Sequence, residues 1–307
     1  MTSMSPNSLP KQVQVPGLPI ETRSAHGLSP RTTQKLAMAC IWGGGIITVL
    51  VLAIVIGFVL IRGIPGINLE FLLTPPKGGL SGEGGISTVI VSTLYLVIVT
   101  VVMLVPVGIG AAIYLAEYAP NTRLTRLIRY AVEVLAGVPS IIFGLFGFAL
   151  FVTALHFNFS ILSGALTLVC LLLPTMIRTT EEAIRAVPYS HREGALALGA
   201  TKWQLVSRVL LPSALPGIVT AIILCIGRAI EETACLYVTL GGSAAMPTSL
   251  LSGGRTLSLH VFYLAMETRA FEKAMATGAV LIIIIIVINF ITNWLSHRFQ
   301  AKMRGTN

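Results

Sequence analysis

Aspartate is absent from the 307 residues; all twelve acidic residues are glutamate. Charged residues of both signs make up only 11% of the chain, against about 25% in an ordinary soluble domain. That is too little polar surface to coat a water-soluble particle. No lysine follows a glycine anywhere in the sequence. The glycine-rich loop with its phosphate-binding lysine is therefore missing, and the chain cannot hydrolyse ATP by that mechanism. Cysteine is limited to Cys40, Cys170, Cys225 and Cys235, with no CxxC pair. Each lies in or beside an apolar stretch, which fits small buried thiols rather than a disulfide framework or a metal set. The five histidines are scattered without metal-ligand spacing, so no metal site is expected. The first 34 residues are polar, rich in Pro, Ser and Thr, and lack a long apolar core. They read as a flexible cytoplasmic tail, not a secretory signal.

What the chain has in excess is apolar residues: 54% of the total, with a mean hydropathy of +0.85. Bilayer is the solvent that fits. A helix that satisfies its own backbone in lipid needs about 20 apolar residues, and six runs qualify or come close. They are Leu36–Ile61, a stretch within Ile86–Ala116, about Val134–Phe157, a short run at about Leu162–Ile177, about Ala214–Leu240, and Ala274–Leu295. The fold class expected is all-α, with about six transmembrane helices and a domain over 35–307. The net charge of +9 does not form one dense patch. It is parcelled into short groups between the apolar runs, which argues against a nucleic-acid partner. Fifteen Lys and Arg fall on the side of both termini and five on the other. By the positive-inside rule both termini are cytoplasmic.

One stretch on that side, about 181–212, is long and too apolar for a solvated loop. It carries Leu196, Leu198, Trp203, Leu205, Val206 and Val209. Glu193–Leu198 favours helix, Gly199 interrupts it, and Thr201 can cap a second helix running through Arg208 and ending before Pro212. A short amphipathic helix pair outside the membrane is built to dock on a partner. Its residues also resemble a known motif. Glu193-Gly194-Ala195, then Gly199, then Leu210-Leu211-Pro212 is similar to the EAA motif of bacterial binding-protein-dependent ABC importers. The one departure is Gly194 in place of the usual Ala. The resemblance implies that Glu193, Gly194, Ala195, Gly199, Leu211 and Pro212 belong to a coupling-helix pair seated on a cytoplasmic ATPase.

The resemblance extends from about residue 36 to 300. Gly137-Val138-Pro139-Ser140-Ile141-Ile142-Phe143-Gly144-Leu145, Ile113-Tyr114-Leu115-Ala116-Glu117-Tyr118, Arg178-Thr179-Thr180-Glu181-Glu182 and Arg228-Ala229-Ile230-Glu231-Glu232 look like segments of the PstA-type permease subunits of phosphate importers. Membership in that family implies a type I importer permease, not an enzyme, that moves phosphate by alternating access. It implies a second, PstC-type permease, two PstB-type ATPase subunits that use ATP and Mg, and an external PstS-type phosphate-binding protein.

The residues themselves single out the same positions. Arg228 falls near the middle of the fifth run, where an arginine costs about 2.5–3.5 kcal/mol on insertion scales and is kept facing a partner or a water-filled path. Glu231 and Glu232 follow three and four residues later, within one helical turn. Arg178, Glu181 and Glu182 repeat the Arg-x-x-Glu-Glu pattern fifty residues earlier, at the end of the fourth run. Guanidinium forks suit a tetrahedral oxyanion, and the carboxylates offset their charge so that the anion is released. The alternative for both motifs is an ion pair between helices that never meets a ligand, or, for Arg178, a side chain that snorkels to the surface. Glu117 and Glu133, flanking the loop with Arg123, Arg126 and Arg129, are expected to be solvated or paired there. Two other functions remain open: an importer for another oxyanion such as sulfate or molybdate, and a stand-alone secondary transporter or channel. The latter calls for an internal inverted repeat, and none is visible.

Overall fold

A computed structural model describes residues 30–77, 83–268 and 270–303. The tail expected over 1–34 lies, up to residue 29, outside the described residues; helix begins at Pro30. Residues through Ile54 form one unit and those from Val55 a second. Helix α1 (Pro30–Gly63) starts in the first and ends in the second. Its last residue lies against the final helix, where a Cβ on Gly63 would come within 2.3 Å of the Met275 carbonyl oxygen.

The second unit continues with α2 (Leu69–Leu73), capped by the Asn68 side chain, and the two-residue strands β1 (Pro76–Lys77) and β2 (Glu83–Gly84), paired antiparallel. Next come α3 (Ser87–Ile113), α4 (Arg123–Ala136), α5 (Ser140–Gly147), α6 (Ile161–Arg185) and α7 (Tyr189–Ala197). The chain ends with α8 (Lys202–Leu205), α9 (Leu211–Glu231), α10 (Ala234–Tyr237), α11 (Leu257–Met266) and α12 (Phe271–Met303). Five helical stretches are long and apolar enough to cross a bilayer: Arg31–Gly66, Ser87–Tyr118, Ile161–Arg185, Lys202–Glu231 and Phe271–Trp294. A sixth candidate is the pair Arg123–Ala136 and Ser140–Ala154, bent by 104°.

That bend corrects the third expected span. Val134–Phe157 is not one helix, because Gly137-Val138-Pro139 breaks it. The residue before a proline is pushed out of helical conformation, and Pro139 itself sits at ψ 138° as the N-cap of α5. The fourth run is longer than its apolar core suggested, and α6 carries on through Arg178 to Arg185.

Buried side chains cluster around α6. Within its apolar window 61% of the residues are buried, against 28–33% for α3, α8–α9 and α12. Leu168, Leu172 and Met176 of α6 pack with Leu96 and Leu104 of α3 and with Ala221 and Cys225 of α9. The α6–α9 approach is close at Gly217, where a Cβ would fall 2.4 Å from that of Ala183. Small residues let spanning helices approach like this, and the gain is van der Waals packing.

The 181–212 segment differs from expectation at its second helix. Gly199 does make the turn, at φ +79°, and Thr201 does cap, in a reciprocal box with Gln204. The helix that starts at Lys202 does not stop before Pro212, however; it runs on to Glu231. Pro212 cannot donate to the preceding turn and its ring crowds the carbonyl four residues back. A widened turn at Val206–Leu210 immediately precedes it and accommodates both defects.

Candidate functional site

The continuous Lys202–Glu231 helix moves Arg228. It is not at the middle of a span that reaches Leu240 but in the last turn of α9, just before the chain breaks at Glu232. A cation there is favoured by the helix dipole. Its guanidinium forks: Nη1 donates to Glu231 Oε1 at 3.0 Å and Nη2 meets Glu232 Oε1 at 2.6 Å. The two carboxylates are unlike. Glu232 is 4% exposed, and its carbonyl accepts from the Ser258 hydroxyl at 2.7 Å. Glu231, like Arg228, is about half exposed. Arg228 and Glu231 line a cavity of ≈ 650 Å³ walled by α6, α9 and α12 and by Ala136 and Val138 at the α4–α5 bend, which also holds Thr175 and Asn289. The lower carboxylate pins the guanidinium, and the upper one sits with it in the open space.

The second motif is built differently. Arg178 Nε donates to Glu182 at 3.1 Å and its Nη1 lies 3.8 Å from Glu133 on α4. Glu181 does not pair with Arg178 as expected. It meets Arg185 Nη2 at 2.6 Å and Arg129 Nε at 3.1 Å. The latter contact is one of charge only, since neither atom has a hydrogen-bond partner. Arg129 bonds instead through Nη2 to the Leu115 carbonyl at 2.6 Å. These three arginines and three glutamates line a separate cavity of ≈ 210 Å³, so Arg178 and Arg228 do not share one chamber. The Arg178 cluster ties α4 to α6 and is charge-balanced.

In the 181–212 segment, Leu205 and Val206 are buried under Ile184, Leu210 and Ala214. Leu196, Leu198 and Trp203 point outward, Leu198 at 90% exposure. Glu193 and Gly194 are exposed and Ala195 is half-buried. Nothing lies within 4 Å of a Cβ built on Gly194, so nothing in the fold requires glycine there. Glu117, in the widened turn Tyr114–Tyr118 that continues α3, pairs with Arg192 of α7, and Lys202 Nζ donates to the Glu117 carbonyl at 3.3 Å.

Sequence reasoning missed two features. Arg255, counted there as one loop charge among five, is 8% exposed. It is held by a 2.8 Å bond to the Gly242 carbonyl, by a 3.3 Å contact to His260 Nδ1 and by the face of Tyr263 at 4.3 Å. Burial, with the Arg255 charge adding to it, pushes His260 down to about 4. The imidazole is thus neutral near pH 7 and free to accept from Arg255. Thr175 and Asn289, the polar lining beside Arg228, are the second feature. A lone Asn in the apolar run Ala279–Phe290 was the available signal.

The chain is similar to known proteins along most of its length. The model of the family described as "Binding-protein-dependent transport system inner membrane component" matches residues 105–305, which is 201 of 307. The "Probable ABC transporter permease protein YqgI" of Bacillus subtilis is 33% identical over 90% of this chain and 99% of its own. "Phosphate transport system permease protein PstA 1" of Mycobacterium tuberculosis (strain CDC 1551 / Oshkosh) is 32% identical over 98% and 100%. The fold is shared with a bacterial alginate ABC transporter at TM-score 0.63 and 15% identity, covering 87% of this chain and 98% of that one. It is shared also with the MetNI methionine ABC transporter at TM-score 0.56 and 21% identity, covering 68% and 93%. The chain belongs to the binding-protein-dependent inner membrane components: it is a multi-pass cell-membrane permease subunit of an ABC importer, which works with a separate ATPase and a substrate-binding protein.

Proposed function

We propose that this chain is the PstA-type half of a phosphate permease. The observation that carries the reading is the forked Arg228, pinned on one side by buried Glu232 and open with Glu231 to the ≈ 650 Å³ cavity. A forked donor matches a tetrahedral oxyanion, and the neighbouring carboxylate keeps the anion from being trapped. The Mycobacterium tuberculosis relative, named for phosphate transport, supports the same substrate. In this reading Arg178, Glu181 and Glu182 form a second station along the path. Both termini are cytoplasmic, and the other half is a PstC-type permease. Two PstB-type ATPases hold ATP and Mg, and a PstS-type protein delivers the anion. Leu198 and Trp203 supply the apolar face that docks on the ATPase, and Glu193, Gly194, Ala195, Gly199, Leu211 and Pro212 set its shape.

The test is uptake of labelled phosphate into ATP-loaded vesicles holding the four-component complex, with sulfate and molybdate as competitors. Phosphate uptake that persists against excess sulfate is the expected result. Uptake without any ATPase subunit, or uptake of sulfate instead, sinks the reading. The docking assignment has its own check. Gly199→Val forces a β-branched residue to φ +79°, a strain on the order of 1–3 kcal/mol, and is expected to reduce phosphate-stimulated ATP hydrolysis. Gly194→Ala meets no neighbour and removes about 0.5–1 kcal/mol of mid-helix glycine cost, so coupling is expected to be preserved. Equal stimulation in both variants contradicts the assignment.

A further inference from the structure

Two uncharged side chains, Thr175 and Asn289, share the Arg228 cavity. Asn289 of α12 is the only residue with a hydrogen-bonding side chain between Ala279 and Phe290. Thr175 of α6 is exposed one residue after Pro174. Several other threonines on the long helices donate back to the carbonyl four residues earlier: Thr93 at 2.7 Å, Thr100 at 2.8 Å, Thr167 at 2.7 Å and Thr277 at 2.8 Å. Thr88 donates instead to the Ala244 carbonyl at 2.7 Å, and the buried Thr180 hydroxyl has no partner among the described residues. Among the described residues neither Thr175 nor Asn289 forms any such bond. An amide left unsatisfied among isoleucines is costly, and in a spanning helix the cost is met only by a partner or by the contents of a cavity.

We propose that Asn289 and Thr175 are direct oxyanion ligands that complete, with Arg228, the coordinating face of this cavity. The inference rests on the phosphate-permease reading. The chemistry fits a partly protonated tetrahedral anion. The Asn289 amide offers two donors and the Thr175 hydroxyl one, to oxygens that Arg228 leaves free. The Asn289 carbonyl and Glu231 accept the proton that such an anion still carries. Two neutral side chains bind less tightly than a second arginine, which suits a site that must release its cargo. The rest of the wall, Leu171, Leu224 and Ile285 among it, is apolar, so the polar contacts available to an anion there come from these few side chains.

The experiment measures the phosphate uptake rate at saturating loaded binding protein in reconstituted complexes carrying Asn289→Leu, Thr175→Val or Asn289→Ser. The first two are expected to lose roughly tenfold to hundredfold, the size of one hydrogen bond to a charged group. Asn289→Ser keeps a donor and is expected to recover part of the rate. Wild-type rates in Asn289→Leu and Thr175→Val overturn the proposal and leave the phosphate reading intact. Loss of the assembled complex in Asn289→Leu, read by size-exclusion chromatography, overturns it in favour of a contact with the other permease half. If the wild type carries sulfate in place of phosphate, the phosphate reading falls, and the same tenfold criterion applied to sulfate uptake decides the proposal.

Discussion

Arg228→Gln is expected to cut phosphate uptake about a hundredfold. In the wild type the cavity holds one cation and one carboxylate, Arg228 and Glu231, with a second carboxylate, Glu232, below. Removing the guanidinium leaves Glu231 facing the incoming anion with no offset. At about 5 Å and an effective dielectric constant of about 20, two unit charges of like sign repel by about 3 kcal/mol, or about two orders of magnitude in occupancy. Arg228→Lys keeps the charge but loses the fork, so it cannot hold Glu231 and Glu232 at once; its rate should fall between the two. Glu231→Gln changes the sign of the effect, because Arg228, then offset by Glu232 alone, no longer shares the cavity with a carboxylate that repels the anion, and the anion is held longer. Entry is favoured and release is slowed. Glu232→Gln belongs to a different class. The carboxylate is buried and pairs with Arg228, but Arg228 stays half exposed and paired with Glu231, so the loss is smaller than the roughly 3–5 kcal/mol of a fully buried pair. It should still lower the melting temperature of the solubilised complex. If Arg228→Gln also melts the complex, and uptake per intact complex is normal, the Arg228 pairs serve the fold and not the path.

Much of this site could be read from residue types. The two Arg-x-x-Glu-Glu motifs, the cap at Thr201 and the turn at Gly199 follow from spacing and local chemistry, which act over a few residues. What the sequence hid were choices made by the third dimension. A run of apolar residues has no mark for where lipid ends, so α6 passes Arg178 unannounced and α9 stops at Glu231 although apolar residues continue to Leu240. Pro212 is a stop signal in most helices, and the widened Val206–Leu210 turn that admits it has no distinctive composition. Gly137-Val138-Pro139 was legible as a motif, yet the 104° bend it produces was lost inside a count of apolar residues. The partners of Glu181 lie on α4 and one turn on in α6, and identical offsets along two helices gave identical pairings on paper. At Arg228 the chain breaks after the turn and both carboxylates fold back. At Arg178 the helix continues and its neighbours compete.

The pair formed by Glu117 and Arg192 yields the other large effect. Both side chains are largely buried, at 9% and 17% exposure. Arg192 also donates to the Ile184 carbonyl at 3.0 Å. Lys202 reaches the Glu117 carbonyl and lies 5.6 Å above the Tyr118 ring. Helices α7 and α8 therefore both grip the turn Tyr114–Tyr118 that continues α3, α7 through a largely buried ion pair and α8 through an exposed bond. In the proposed reading, a push on Leu198 or Trp203 reaches that span through them. Arg192→Glu sets two carboxylates against each other and strands Glu117, at a cost of about 3–5 kcal/mol. The expected result is loss of the increase in ATP hydrolysis that loaded binding protein produces. Adding Glu117→Arg to that variant restores opposite charges and should return part of the stimulation. Recovery cannot be complete, since a glutamate at 192 cannot donate to the Ile184 carbonyl. The double-mutant cycle isolates the pair from its surroundings. A double variant no better stimulated than Arg192→Glu alone shows that the signal reaches α3 by another route, through the buried Ile184–Leu205–Leu210 contacts beneath the pair.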